Sequence, residues 1–473
     1  MTSSLFAVIV WLRHGPAESD STASTYATWA IAHGRFSCSY PALGNHPIPL
    51  TAQLYPLLSG AIAAAARIGH SVAFPTVAQL GPGCENAIAV LDRWSVRAGA
   101  VTPTLMIGYS SWFMLLAGVV LVIRAIGRGR TWWEPVTLTI VATCAPVLSA
   151  VAVYFHPQDI AAFSLILVAL AMAFQGRWVP TGIFLGLACS TNQFAVLALV
   201  ALLVVVPLGR RLNFIAAIVG SMVVLNAPLV VLTSGRALSA VLSGTGLSVP
   251  FGTTVLSQLA PHGFALELLS RGLPILSTLA VAIWARHRLG AALLEPPHLL
   301  SLVALSLCLR LVFELDLWSY YFLALAGTLV LIDVAHGRLR GETLAWLALV
   351  NSAFSIVPWG VASVGAVDWG SLNELVPATF IVVALLVIAR DIRHRRFRPY
   401  LLIWTFVMSI IFAREGWYGA PFDHGFPSWL WQLLLIPPAL ALASSSRGLP
   451  VIALSPSTSE ADGRTPTQVV RTH

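Results

Sequence analysis

Four short polar stretches stand out in a chain that is otherwise almost wholly apolar. They are the acids Glu18 and Asp20, the run His156-Pro157-Gln158-Asp159, the run Thr191-Asn192-Gln193, and Arg310 followed by Glu314, Asp316, Trp318, Tyr320 and Tyr321. Carboxylates and imidazole can hold or move a proton, amides bond hydroxyls, and a guanidinium faces an anion. Each stretch also has a plainer account. Asp20 reads equally as a solvated loop acid or as the cap of a helix beginning near Ser21. Pro157 suits the first turn of a helix and Asp159 complements its positive end, which leaves only His156 unexplained. A tight turn between two short helices selects polar residues such as Asn192 and Gln193, and Arg310 is spaced for an i, i+4 pair with Glu314. Trp318 and Tyr321 suit a membrane interface as well as a flat ligand.

The elements that position these residues are membrane helices. Hydrophobic residues make up 57% of the 473 and charged residues only 10%, and every one of the 27 basic side chains is Arg. Roughly 20 apolar residues are needed to span a bilayer as a helix, and no soluble core requires so many runs of that kind. Starting with a weak run at residues 5–12, the apolar segments number about fourteen: 101–124, 135–155, 160–174, 179–191, 194–208, 213–232, 272–284, 298–313, 318–334, 344–361, 375–388, 400–412 and 428–443 follow. The expected fold class is all-α, a polytopic transmembrane bundle of about 13–14 spans.

With the amino terminus inside, eighteen of the 27 Arg fall on the cytoplasmic side and nine outside, while twelve of the 19 carboxylates fall outside. Every short connection assigned to the cytoplasm carries an Arg, so the positive-inside bias supports the whole zigzag. All four polar stretches then share the outer side. The net charge of +8 reflects this topology and anionic inner-leaflet lipid, and no basic module interleaved with aromatics points to nucleic acid.

Residues 13–100 form a long first outer loop. An apolar stretch within it, 54–66, would invert the charge bias for half the chain if it crossed, so it is expected to lie on the outer surface as a helix, with Pro41, Pro47, Pro49 and Pro56 breaking up the approach. The opening run is too short to cross, so either the start lies upstream of Met1 or this helix is tucked against its neighbours. It lacks the basic region and cleavage site of a signal peptide. The runs 179–191 and 194–208 are also short, and an interrupted pair is tolerated where its junction lines a cavity. A second large outer loop, 233–271, holds His262. Residues 1–443 are read as one membrane domain and 444–473 as a disordered cytoplasmic tail.

Cys144, Cys189 and Cys308 lie in apolar runs and read as small core residues, whereas Cys38 and Cys84 share the first outer loop and could pair. The sequence has no CxxC, no HExxH and no close His set, so neither a metal nor a cofactor is expected.

The stretch from Glu18 to Pro41, with Tyr26, Trp29, Gly34 and Tyr40-Pro41 ahead of the surface helix, resembles the GT-C superfamily of membrane glycosyltransferases, in particular the branch using polyprenol-phosphate mannose. His156 to Asp159 and the segment GIFLGLACSTNQ, Gly182 to Gln193, are similar to members of that family as well. Two departures stand: the first span is stunted, and Glu18 and Asp20 are separated by Ser19 where many members have adjacent acids. The resemblance implies a GT-C-like fold at the cell membrane, an active site on the extracytoplasmic face, and Asp20 as the base of an inverting transfer. It further implies a polyprenyl-phosphate-linked sugar donor and a glycan or glycolipid acceptor among membrane lipids. His156, Asp159, Asn192 and Gln193 would bind substrate, Arg310 would face the donor phosphate, and Trp318 and Tyr321 would stack on a sugar. Arg271, Arg35 and His262 rank lower as outer cations. The main rival is a transporter or lipid flippase of envelope precursors, which would place ionisable groups near the midplane and repeat its halves. The spans hold almost no carboxylate, which is expected to count against it. A third reading is a non-catalytic scaffold for envelope assembly.

Overall fold

The computed structural model describes residues 28, 30–36, 42–43, 46–47, 54–68, 101–127, 137, 138, 140–142, 144–148, 150, 156–235, 256, 264–315 and 319–336. Among the described residues the regular elements are helices, apart from a two-residue antiparallel ladder, β1 (Ala42–Leu43) with β2 (His46–Pro47). The helices are α1 (Leu54–Ile68), α2 (Val101–Ala125), α3 (Pro157–Phe174), α4 (Trp178–Cys189), α5 (Ala195–Val205), α6 (Leu208–Leu232), α7 (Phe264–Leu289), α8 (Pro296–Val312) and α9 (Leu323–Ala335). Three segments, Pro157–Phe174, Leu208–Leu232 and Leu268–Leu294, are long and apolar enough to cross a membrane. On α6 the side chains of Leu212 and Val231 are 79% and 77% exposed. Such an outward apolar face suits lipid and not water, and the chain is a helical membrane protein.

The bundle closes where small residues let backbones approach. Gly182 and Gly186, one turn apart on α4, face α6: a Cβ at Gly182 would meet Phe214 O at 2.6 Å, and one at Gly186 would strike Ser221 Oγ and Ile218 O. Gly118 on α2 lies 3.0 Å from Ser164 O of α3 by the same measure, and Gly327 on α9 meets the Phe163 ring at 2.6 Å. With no water to drive helices together in hydrocarbon, such close packing supplies much of their association. Asn226 of α6 adds a polar tie, donating through Nδ2 to Ser190 Oγ at 2.9 Å at the end of α4.

The apolar run 135–155 is broken near its middle. Cys144 lies in a bend and Ala145–Leu148 forms a separate helical turn. Pro146 has no N–H for the carbonyl four residues back, that of Ala142, and Trp112 Nε1 of α2 donates to that oxygen instead, at 3.0 Å. Likewise the segment expected to start a span at 318 begins as a 3-10 turn, Ser319–Phe322, packed on Ala145–Leu148, before α9 proper.

The short pair has the expected form. With 12 and 11 residues, α4 and α5 reach only about 18 and 16 Å at 1.5 Å per residue. The stretch 54–66 is helical as expected, and its first amide, Leu54 N, donates to Ser190 O at 2.9 Å, so α1 begins at the same end of the bundle as the α4–α5 junction. Cys144, Cys189 and Cys308 are buried in the core, as expected of small core residues. The runs at 5–12 and 344–443, the tail from 444, Cys38 and Cys84 lie outside the described residues.

Two carboxylates depart from the expectation that spans bury almost none. Asp159, in the first turn of α3, is 3% exposed, and Asp333, near the end of α9, is 0% exposed. They sit at opposite ends of the bundle, which places one beside the candidate site and the other far from it.

Candidate functional site

Pro157 opens α3 in the position where its missing N–H is harmless, and Asp159 N donates to His156 O at 3.0 Å to close the first turn. That turn gathers three polar side chains, those of His156, Gln158 and Asp159. Gln158 Nε2 lies 3.0 Å from His156 Nδ1. Asp159 Oδ2 is 4.0 Å from the same Nδ1.

Asp159 reaches across to the α4–α5 junction, where Asn192 Nδ2 donates to Asp159 Oδ1. Asn192 Oδ1 in turn accepts from Phe194 N at 3.3 Å, which caps the entry to α5. One side chain thereby joins two helix starts. The junction itself is made by Thr191, whose hydroxyl bonds back to Leu187 O at 2.8 Å, and Gln193 sits exposed beside it.

From the other side of the site come α8 and the turn that follows it. His156 stacks on Tyr320 with centroids 4.0 Å apart and planes at 17°, and Tyr321 meets Tyr320 edge-on at 4.7 Å. Arg310, in the last turn of α8, donates through Nε to Glu314 Oε2 at 3.0 Å, so the i, i+4 pair is formed. Its guanidinium also lies over two rings, 4.5 Å from the Tyr321 centroid and 5.0 Å from that of Phe194. Arg310 and Glu314 are within electrostatic reach of Asp159.

Of the predicted site residues, the fold therefore gathers His156, Asp159, Asn192, Arg310 and Tyr321 at one end of the helices, with Gln193 at its rim. Asp20, His262 and Trp318 lie outside the described residues. The sequence alone assigns no role to three contributors. Gln158 bonds the His156 ring and leaves its buried Oε1 without a partner among the described residues; Tyr320 supplies the stacking face; Phe194 supplies a ring beneath Arg310. Gln158 and Tyr320 stand within the polar stretches, whereas Phe194, an apolar residue in an apolar run, carries no signal.

Chemically, this end can offer hydroxyl-bonding groups, a held cation and flat rings within one half-buried cluster. No family model and no curated protein matches the chain. Among solved structures it is similar to ArnT from Cupriavidus metallidurans bound to undecaprenyl phosphate, at 14% identity over 92% of this chain and 77% of that one, with a TM-score of 0.44. The apo state of ArnT from Cupriavidus metallidurans gives 15% identity, 94% and 76% coverage and a TM-score of 0.43.

Proposed function

We propose that the chain is a GT-C-type membrane glycosyltransferase that moves a sugar from a polyprenyl phosphate carrier to a glycan or glycolipid acceptor on the outer face of the cell membrane. Mannose is the sugar that the resemblance of residues 18–41 favours. The acceptor hydroxyl gives its proton to the Asp20 carboxylate as its oxygen bonds to the anomeric carbon. The bond from that carbon to the phosphate oxygen breaks on the opposite face, which inverts the centre. The lipid phosphate departs as a stable anion, so one carboxylate suffices and no metal is assigned.

In this reading Arg310 draws the donor phosphate toward the α8 end, and the His156 ring, Asn192 and Gln193 bond sugar hydroxyls. Asp159 holds His156 and Asn192 in place, while Trp318 and Tyr321 stack on the sugar and His262 closes the outer side. The supporting observation is the convergence of His156 and Asp159 from the start of α3, Asn192 from the α4–α5 junction, Arg310 from the end of α8 and Tyr321 from the turn before α9, at the end that the charge distribution assigns to the outside.

The test is Asp20→Asn in membranes supplied with labelled lipid-linked sugar. Transfer is expected to fall by about 10²-fold or more, the usual worth of a positioned base; undiminished transfer would refute Asp20 as the base. Asp333, buried in α9, favours a second reading, a transporter or flippase, because an intramembrane carboxylate is the usual mark of an ion or substrate path. That reading predicts movement of the lipid-linked sugar across vesicles without transfer, and loss of that movement in Asp333→Asn. A scaffold would bind no lipid-linked sugar at all.

A further inference from the structure

Four arginines gather where the end of α5 meets the start of α6 and the end of α7. Arg211 donates through Nε to Val206 O at 3.3 Å and through Nη2 to Val204 O at 3.1 Å. Arg286 donates through Nη1 to Val205 O at 2.5 Å and to Val204 O at 3.3 Å. Two guanidiniums thus share one carbonyl oxygen, held together only by the negative end of a helix. Arg210 and Arg288 stand beside them, exposed, and neither makes an ion pair among the described residues.

The described carboxylates do not balance this charge. Glu295, which follows α7, faces His298 at 3.9 Å, and Asp333 is buried in α9. An anion from elsewhere is therefore attracted to the junction. Its nature follows from the neighbours: Leu208 and Leu212, one turn apart on either side of Arg210 and Arg211, are 75% and 79% exposed. These side chains belong to the outward apolar face of α6 that suits lipid, so the anion best placed to meet Arg210 and Arg288 is the headgroup of a lipid whose chains cover Leu208 and Leu212.

We propose that this junction binds the headgroup of an anionic phospholipid, its phosphate between Arg210 and Arg288 and its acyl chains along Leu208 and Leu212. The site lies at the far end of α5 from Asn192 and is independent of the glycosyl-transfer reading. A bound lipid would tie α5, α6 and α7 together at the end where Arg211 and Arg286 already hold them.

The full chain, purified in detergent, is titrated with phosphatidylglycerol, phosphatidylcholine or inorganic phosphate while its thermal midpoint is followed. Phosphatidylglycerol is expected to raise the midpoint where the other two do not. The double variant Arg210→Gln/Arg288→Gln, altered only at exposed positions, should bind phosphatidylglycerol roughly tenfold or more weakly, since each cation near an anionic lipid contributes several-fold. Leu208→Ser/Leu212→Ser should weaken the same binding without any change of charge, and added salt should weaken it in the native chain. Equal shifts with phosphatidylcholine, a full shift with inorganic phosphate alone, or native affinity in the arginine double variant would each overturn the proposal.

Discussion

At its first residues α5 meets Arg310 through the ring of Phe194, and at its last, about 16 Å away along the axis, it meets Arg211 and Arg286 through backbone carbonyls. The same side chain is handled in two ways. At the candidate site the guanidinium has a carboxylate, Glu314, and two rings around it, so its charge is answered locally and it can be half-buried. At the other end carbonyl dipoles hold two cations but do not neutralise them, and a net positive field is left at the surface. The difference separates an end where the cation is matched by its neighbours from one where positive charge is left over.

The comparison can be broken hardest at the site end. Asn192→Ala removes the donor to Asp159, which is 3% exposed, and a buried carboxylate left unsatisfied costs about 3 kcal/mol. Thermal unfolding in detergent should show a larger drop in midpoint for this substitution than for Arg286→Gln or Phe194→Leu. Arg286→Gln at the other end loses charged bonds to Val204 O and Val205 O and should cost about 1.5 kcal/mol. Combining it with Arg211→Gln should give more than the sum of the two single losses, because each guanidinium alone still covers Val204 O and only the double variant leaves that oxygen bare. Phe194→Leu keeps most of the apolar volume but removes one ring from Arg310, an effect of about 1 kcal/mol.

Much of this architecture could be read from the sequence because membrane helices obey few rules. Runs of sufficient length located α2, α3, α6 and α8 to within about a turn or so, whereas α7 begins at Phe264, well ahead of its run at 272, because Glu267 and Arg271 interrupt the apolar pattern without breaking the helix. The apolar stretch at 54–66 reads as a helix, and it forms α1, which starts at the α4–α5 junction. The break at Cys144 was missed because one proline in an apolar run carries little weight until its neighbour is known; the donor that repairs it, Trp112 Nε1, is 30 residues away. The candidate site was half legible. Polar residues in an apolar background marked His156, Asp159, Asn192 and Arg310, but no spacing along the chain tells that Asn192 meets Asp159 or that Tyr320 lies flat on His156. Those contacts depend on which helices become neighbours, and glycines at 118, 182, 186 and 327 decide that through shape alone.

The central claim is that the two ends of α5 face opposite sides of a membrane, with the His156–Asp159–Asn192 cluster outside. It is tested most directly by labelling single thiols with a membrane-impermeant reagent, in a chain whose five Cys have been replaced. Gln193→Cys lies at the exposed rim of the site, and Gly209→Cys lies in open space just beyond the other end. The account predicts that Gln193→Cys reacts in intact cells and that Gly209→Cys reacts only after lysis. Reaction of Gly209→Cys in intact cells, or protection of Gln193→Cys until lysis, would contradict it.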